Sequence, residues 1–302
     1  MSNLDVAGFG ALNVDKLFKV NRIAQEDEES FVTSSSQFPG GSAANTIVGL
    51  ARLGIKTGFI GKVANDKEGQ LLLKDFKREN VNTNGIAVEP NGSTGVVMGF
   101  VDTIGERALY VAPGVNDTIS FEEIILEDFE SLRLLHLTSF VGNSPFESQK
   151  KLVQQLPRHV KISLDPGMLY AKRGLKQLKP LLKHVSVLLP NEAELKLLTG
   201  LGCEDGSQEL LIQGVEIVAV KRGTMGCFIT NGEEKHVIKS LTVRAMDTTG
   251  AGDAWNSGFL YGLLNNKGLF ECGHIANFVA SRCIVKMGAR TGLPRIADIP
   301  KL

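Results

Sequence analysis

Asp247-Thr248-Thr249-Gly250-Ala251-Gly252-Asp253 runs directly into an apolar stretch containing Trp255, Phe259, Leu260, Leu263 and Leu264. The spacing predicts a helix from Gly252 to Leu264 whose first turn consists of small residues. The opening N–H groups of a helix have no partner within it, and the helix dipole adds partial positive charge, so such a turn receives an anion. Asp253 would repel a phosphate as its ligand, yet it suits a base that takes a proton from an attacking hydroxyl. The segment therefore reads as a phosphoryl-transfer site. Asp253 is the expected base, the N–H groups of Ala251, Gly252 and Asp253 the expected anion hole, and Gly250 the residue that permits the turn. A plainer reading makes this a Gly-rich turn with Asp253 as an ordinary helix-start acid, and Gly-Ala-Gly-Asp alone does not choose between them.

A second glycine-led helix start lies at Pro39-Gly40-Gly41-Ser42-Ala43-Ala44-Asn45-Thr46-Ile47-Val48. The glycine pair allows a ligand close to the backbone. Asn45 is polar among residues that bury a helix face, so it must satisfy backbone groups or reach a ligand hydroxyl. Two other phosphate cradles are excluded. The chain has no G-x-x-x-x-G-K-[ST], and Gly8-Phe9-Gly10 lacks the third glycine of a dinucleotide fingerprint, Asn13 standing in its place.

Apolar runs at Val6 to Gly10, Gly58 to Gly61, Leu134 to Leu137, Lys161 to Leu164, Val185 to Leu189 and Ile217 to Lys221 predict strands. Helices are predicted between and after them at Ser42 to Leu53, Gly69 to Arg78, Ser144 to Leu156, Asn191 to Leu198, Gly252 to Leu264 and Phe270 to Lys286. Alternation of this kind predicts an α/β fold with a parallel sheet covered on both faces. It breaks at 16–38 and 93–111, which read as strands of a separate small sheet. In the second, Asp102-Thr103-Ile104-Gly105-Glu106 supplies turn chemistry between apolar runs.

The 302 residues carry 33 Lys+Arg and 33 Asp+Glu, with 43% hydrophobic residues, as expected of a folded chain with a sizeable core and no global field for nucleic acid or membrane. Lys172-Arg173 reads as a solvated face. No apolar run approaches the roughly 20 residues that span a bilayer, and Met1 to Asp5 leads into a strand, so a cytoplasmic protein is expected. Cys203, Cys227, Cys272 and Cys283 lack ligand spacing, and the five histidines are isolated, so reduced thiols and structural histidines are expected.

Six segments in order resemble the ribokinase/PfkB family of small-molecule kinases: Gly8 to Asp15, Pro39 to Gly54, Leu164-Asp165-Pro166-Gly167, Asn191-Glu192-Ala193-Glu194, Lys221 to Gly226, and Asp247 to Phe259. The resemblance implies a ribokinase-like three-layer α/β/α core with a mainly parallel central sheet and a small β-sheet lid. It implies one domain over 1–302, with lid insertions at about 16–38 and 93–111, and ATP-dependent phosphorylation of a hydroxyl on a sugar or related polyol. By the same resemblance Asn13, Asp15, Gly40, Gly41 and Asn45 grip the acceptor together with Asp253. Asn191, Lys221, Gly223, Gly226, Gly250 and Gly252 face the nucleotide. Asn191 and Glu194, three apart at a helix start, are expected to organise Mg²⁺ on the triphosphate through water; without the resemblance Glu194 is a surface acid. Asp247, Thr249, Cys283, Gly288 and Gly292 match the positions of a K⁺ site built largely from backbone carbonyls. Homodimerisation through the lid is implied as well, with Val96, Met98 and Phe100 as its apolar residues.

Two departures bear on the acceptor. Ribokinases carry Lys after the glycine pair, where this chain has Ser42, and Glu where it reads Thr138-Ser139-Phe140. Phe140 then either stacks on a nucleoside base or fills core. A nucleoside kinase of the same family is accordingly the alternative reading, and a non-catalytic nucleotide- or sugar-binding regulator is the third.

Overall fold

The computed structural model describes residues 4–125 and 131–300; Met1 to Asn3, part of the expected lead into the first strand, lie outside them. In chain order the strands are β1 (Val6–Phe9), β2 (Asn13–Val20), β3 (Val32–Pro39), β4 (Thr57–Ala64), β5 (Asn82–Glu89), β6 (Gly95–Val101) and β7 (Arg107–Ala112). They continue with β8 (Leu134–Thr138), β9 (Lys161–Asp165), β10 (Val187–Leu188), β11 (Ile217–Lys221), β12 (Cys227–Thr230) and β13 (Lys235–Ile238). The helices are α1 (Ser42–Arg52), α2 (Lys67–Arg78), α3 (Asn143–Gln155), α4 (Gly167–Leu182), α5 (Glu192–Thr199), α6 (Cys203–Ile212), α7 (Ala251–Leu264) and α8 (Leu269–Cys283).

One sheet has the order β13-β12-β11-β10-β9-β8-β1-β4-β5. It is parallel from β11 to β5, and only β12 near one edge is reversed, pairing antiparallel with both β11 and β13. Its two faces bury separate cores. Helices α1, α2, α7 and α8 cover one through residues such as Ile47, Phe76, Phe259 and Val279, and α3 to α6 cover the other through Leu152, Leu178, Leu195 and Leu210. Strand residues alternate between them: in β11, Val218 and Val220 enter one core and Ala219 the other. This is the doubly covered parallel sheet that the strand and helix alternation predicted.

All six predicted strands and six predicted helices are present, with ends moved by a few residues. The largest differences are β4, extended to Thr57–Ala64, β10, reduced to Val187–Leu188, and α8, which stops at Cys283 rather than Lys286. The α4 helix was not anticipated. Gly174 at φ 76° breaks it, and Pro180 lies inside it, so its apolar period is interrupted. Strands β5, β12 and β13 and helix α6 were also missed, being short or polar.

The breaks in alternation at 16–38 and 93–111 become a second sheet of order β3-β2-β6-β7. The Asp102 to Glu106 turn closes the β6–β7 hairpin, with Asp102 accepting the N–H groups of Ile104 and Glu106. Because the sheet period is two, Asp15, Leu17, Val97, Arg107 and Leu109 share the inner face, while Phe18, Val96, Met98, Phe100 and Tyr110 share the outer one. Among the described residues no helix is long and apolar enough to cross a membrane.

Candidate active site

Parallel strands deliver their carboxyl ends to one edge of the large sheet, and there the helix starts of α1 and α7 meet. Gly250 caps α7 at φ 75°, and a Cβ there would lie 2.5 Å from the Ala289 methyl group, so the turn accepts only glycine. The helix then begins at Ala251, one residue earlier than expected. The Ala251 N–H donates to the Thr248 carbonyl at 3.1 Å, whereas those of Gly250, Gly252 and Asp253 have no acceptor among the described residues.

Asp253 is the meeting point of the two glycine-led starts. Its Oδ1 accepts the Ser42 hydroxyl at 2.5 Å and its Oδ2 the Asn45 amide at 2.8 Å, both from the first turn of α1. Burial pushes its pKa up to about 6, against the pull of those two hydrogen bonds. Asp15, on the inner face of the small sheet, is likewise raised to about 6 by burial, with Arg290 lowering it and Asp253 raising it further. Gly40 lies against Asp15: a Cβ there would sit 2.5 Å from the carboxyl group. Gly41 follows as the residue before α1, and the Asn13 side chain accepts from Asn116 at 3.0 Å. The structure thus brings Asn13, Asp15, Gly40, Gly41, Asn45 and Asp253 into one neighbourhood. A cavity of about 570 Å³ opens beside it, lined among others by Asp15, Phe38, Arg107, Leu109 and Thr249.

Across the α7 start is a second cavity of about 430 Å³, lined by Lys221, Gly223, Gly226, Gly252 and the apolar residues Val243 and Trp255 among others. Lys221, expected to face the nucleotide, lines this cavity as one half of an ion pair. Its ammonium pairs with Asp165 at 2.5 Å and donates to Asn256 at 3.2 Å, and Asn256 donates to Asp165 at 2.6 Å. Burial raises the Asp165 pKa, but Lys221 and Asn256 outweigh it and hold the carboxylate below its usual range. The ammonium still lies 3.7 Å from where a Gly252 Cβ would be, so the ion pair presents its positive end to the α7 amides.

Asn191 and Glu194 cap α5 reciprocally. The Asn191 side chain accepts the Glu194 N–H at 2.9 Å, and the Glu194 carboxylate accepts the Asn191 N–H at 2.8 Å through Oε2. Glu194 is buried, and burial with nearby Asp165 raises its pKa. Its Oε1 has no donor among the described residues, where no cluster of three or more ligating side chains occurs. That donor set fits a hydrated Mg²⁺ carried by a triphosphate better than a dry protein-built cage.

The residues matched to a K⁺ site also converge. Asp247 accepts the N–H groups of Thr249 at 2.9 Å and Gly288 at 2.8 Å, which outweigh burial and lower its pKa. The Cys283 thiol lies 3.3 Å from the Ala289 carbonyl and 4.0 Å from that of Thr249, and Gly292 packs on the Cys283 carbonyl. These carbonyls fit an alkali cation; the Asp247 carboxylate is already engaged.

Sequence reasoning missed Arg290, Asp75, Asp165, Asn256 and Asn116. Arg290 and Asp75 are 215 residues apart and form a 2.5 Å buried ion pair that no local pattern signals. Asp165 alone had a signal, since it directly follows the predicted strand Lys161 to Leu164 within the Leu164-Asp165-Pro166-Gly167 segment. Phe140 is resolved as core: it is 1% exposed and packs edge-on against Phe9 at 5.5 Å, so it does not offer a face to an acceptor.

The pfkB family carbohydrate kinase model matches residues 3–296. An uncharacterized sugar kinase of Archaeoglobus fulgidus is 46% identical over 254 residues, covering 83% of this chain and all of that protein. An ATP-dependent ribose-1-phosphate kinase of Halopiger xanaduensis is 30% identical, covering 95% of this chain and 94% of its own. The crystal structure of ribokinase from Thermotoga maritima superposes with a TM-score of 0.86 at 26% identity, covering 97% of each chain. The chain belongs to the pfkB family of carbohydrate kinases, and is a phosphotransferase with an alcohol acceptor.

Proposed function

We propose that this kinase transfers the γ-phosphoryl group of ATP to a hydroxyl of a sugar or related polyol, with Asp253 as general base. The observation that carries the reading is the placement of one carboxylate, at a pKa of about 6, where the free amides of the α7 start meet the α1 cradle. The acceptor enters through the 570 Å³ cavity, where Asp15 lines the wall, and its hydroxyls are held by Asp15 and the adjoining Asn13, Gly40-Gly41 backbone and Asn45. The nucleotide lies in the 430 Å³ cavity along Gly223 and Gly226.

As the acceptor oxygen bonds to the γ-phosphorus, its proton passes to Asp253 and the bond from that phosphorus to the β–γ bridging oxygen breaks, leaving ADP. The N–H groups of Gly252 and Asp253 donate to the migrating group as its charge redistributes. Mg²⁺, when bound with the triphosphate, neutralises charge there. Glu194 and Asn191 would hold its waters, and Lys221 contributes the positive end of its pair with Asp165.

The small sheet acts as a lid over the acceptor, excluding water that would compete for the phosphoryl group. Its outer face, carrying Phe18, Met98, Phe100 and Tyr110, joins a second copy into a homodimer; Phe18 and Phe100 stack there at 5.1 Å and Tyr110 is 59% exposed. K⁺, if bound, would be held largely by backbone carbonyls around Asp247, Thr249, Cys283, Gly288 and Gly292, and would steady the anion hole. Sedimentation and a comparison of turnover in K⁺ and in Na⁺ test these two parts separately.

A sugar or polyol is favoured over a nucleoside because Phe140, the aromatic residue that suggested base stacking, is in the core. The names of the Archaeoglobus and Halopiger relatives support the same class. ADP release measured over a panel of pentoses, hexoses, their phosphates and nucleosides tests the reading. Turnover confined to nucleosides overturns the acceptor class, and saturable binding with no phosphorylated product overturns catalysis in favour of a regulator.

A further inference from the structure

Arg290, in the loop after α8, is 7% exposed and donates in three directions. Its Nε donates to Asn45 Oδ1 at 2.7 Å, Nη1 to Asp75 Oδ2 at 2.5 Å, and Nη2 to the Gly40 carbonyl at 3.0 Å. The guanidinium also lies 5.6 Å from the centre of the Phe76 ring. Its own backbone carbonyl is held by Arg52, which pairs with Glu79. Two of these contacts, Asp75 and Phe76, anchor it on α2; the other two are residues of the acceptor cradle.

A guanidinium has donors and no acceptor, so it can approach only the oxygen of the Asn45 amide. The NH₂ end must then point the opposite way, where it donates to Asp253. In the reverse orientation the amide oxygen would face Asp253, an arrangement that favours the protonated acid over the carboxylate. The choice between an amide that supports the base and one that silences it is therefore made by a residue that never touches the acceptor.

We propose that Arg290 is a positioning residue for phosphoryl transfer. By engaging the Asn45 and Gly40 carbonyl oxygens together, it keeps the Asn45 N–H on Asp253 and holds the glycine pair against Asp15. Its charge also lowers the pKa of Asp15, deepening the effect on the same cradle. The other ionisable groups facing this network are Asp75 and Arg78 from α2 with Glu79 just after it, Arg52 from α1, Cys283 from α8, Asp165 and Lys221 from the strand ends, and Glu194 from α5.

The inference rests on Asp253 being the base, and its test is the kcat–pH profile of Arg290→Lys, Arg290→Met and Asn45→Ala. Arg290→Lys keeps the charge but cannot span three acceptors. For each variant kcat should fall about tenfold or more, as expected when a catalytic geometry loosens, and the acid limb should move to higher pH. The ATP KM should stay within about twofold. The losses of Arg290→Lys and Asn45→Ala should combine to less than their product in the double variant, because the two share the Asn45 amide while Arg290 also holds Gly40. Should Arg290→Met fail to fold, Arg290→Met/Asp75→Asn, which removes both members of the ion pair, replaces it. A folded Arg290 variant that melts earlier yet keeps the native kcat and acid limb overturns the proposal, as does an additive double variant. Failure of the base assignment looks different: Asp253→Asn itself would remain active.

Discussion

Asp253→Asn removes the carboxylate while keeping the size of the side chain, so it separates chemistry from packing. In the native protein Ser42 and Asn45 each donate to one oxygen of Asp253. An asparagine can accept only one of these bonds, and its NH₂ must face the other group. Asn45 cannot reverse without setting its own NH₂ against Arg290, which donates to it at 2.7 Å. The Ser42 hydroxyl can rotate to accept, so the new NH₂ settles there and the fold persists. No group is then left to take the acceptor proton. The loss expected in kcat is about 10²- to 10⁴-fold, or roughly 3 to 5 kcal/mol on the barrier. The pH dependence carries a sign. Only ionised Asp253 accepts a proton, and with a pKa of about 6 it is mostly ionised at neutrality, about half ionised at that pKa and about one-tenth ionised a pH unit below it. Native kcat should therefore fall as pH drops through about 6, whereas the variant should be slow and flat. Asp15, also near 6 and facing Asp253, shares the titration in kcat/KM, so kcat at saturating substrates is the cleaner quantity. ADP release followed from about pH 5 to about pH 8 reads both effects. A variant within about threefold of native turnover, or one reproducing the native acid limb, refutes the assignment.

Glu194→Gln keeps the α5 cap, because a Gln oxygen can still accept the Asn191 N–H. It should raise the Mg²⁺ concentration that gives half-maximal rate, and an unchanged titration removes Glu194 from the metal shell. Lys221→Met strands Asp165 without a counter-ion, at a cost of about 3 to 5 kcal/mol, so its thermal midpoint should fall and largely recover in Lys221→Met/Asp165→Asn; equal midpoints for the two would contradict the pairing. In the native protein the lowered pKa of Asp165 contributes stability that is present above the ordinary carboxylate range and lost as pH falls through its folded value. Phe140→Leu should cost about 1 kcal/mol in denaturant unfolding and leave the ranking of sugars and nucleosides unchanged, and a changed ranking would return Phe140 to the acceptor site.

The site was legible wherever function is carried by a local device. A glycine-led turn, a following acid and an apolar helix face are written within one segment, so Gly250, Gly252 and Asp253 could be read together. The small sheet was legible for the same reason, since the Asp102 to Glu106 turn and its flanking apolar runs are contiguous. The bond from the Ala251 N–H to the Thr248 carbonyl is a turn contact that residue identity does not reveal. Phe140 could be assigned only after folding, because packing on Phe9 and stacking on a ligand make the same demand on a side chain.

The one-dimensional pattern determined that α and β segments alternate and that two helix starts are shaped for close backbone approach, because period, turn chemistry and capping act over a few residues. Which polar groups meet was decided by tertiary structure alone. Asp253 receives Ser42 and Asn45 from 211 and 208 residues away, Lys221 is matched to Asp165, and Arg290 reaches Asn45 across 245 residues. Such partners are selected by the cost of leaving a buried donor or charge unpaired, a cost that does not exist until the chain has closed around them.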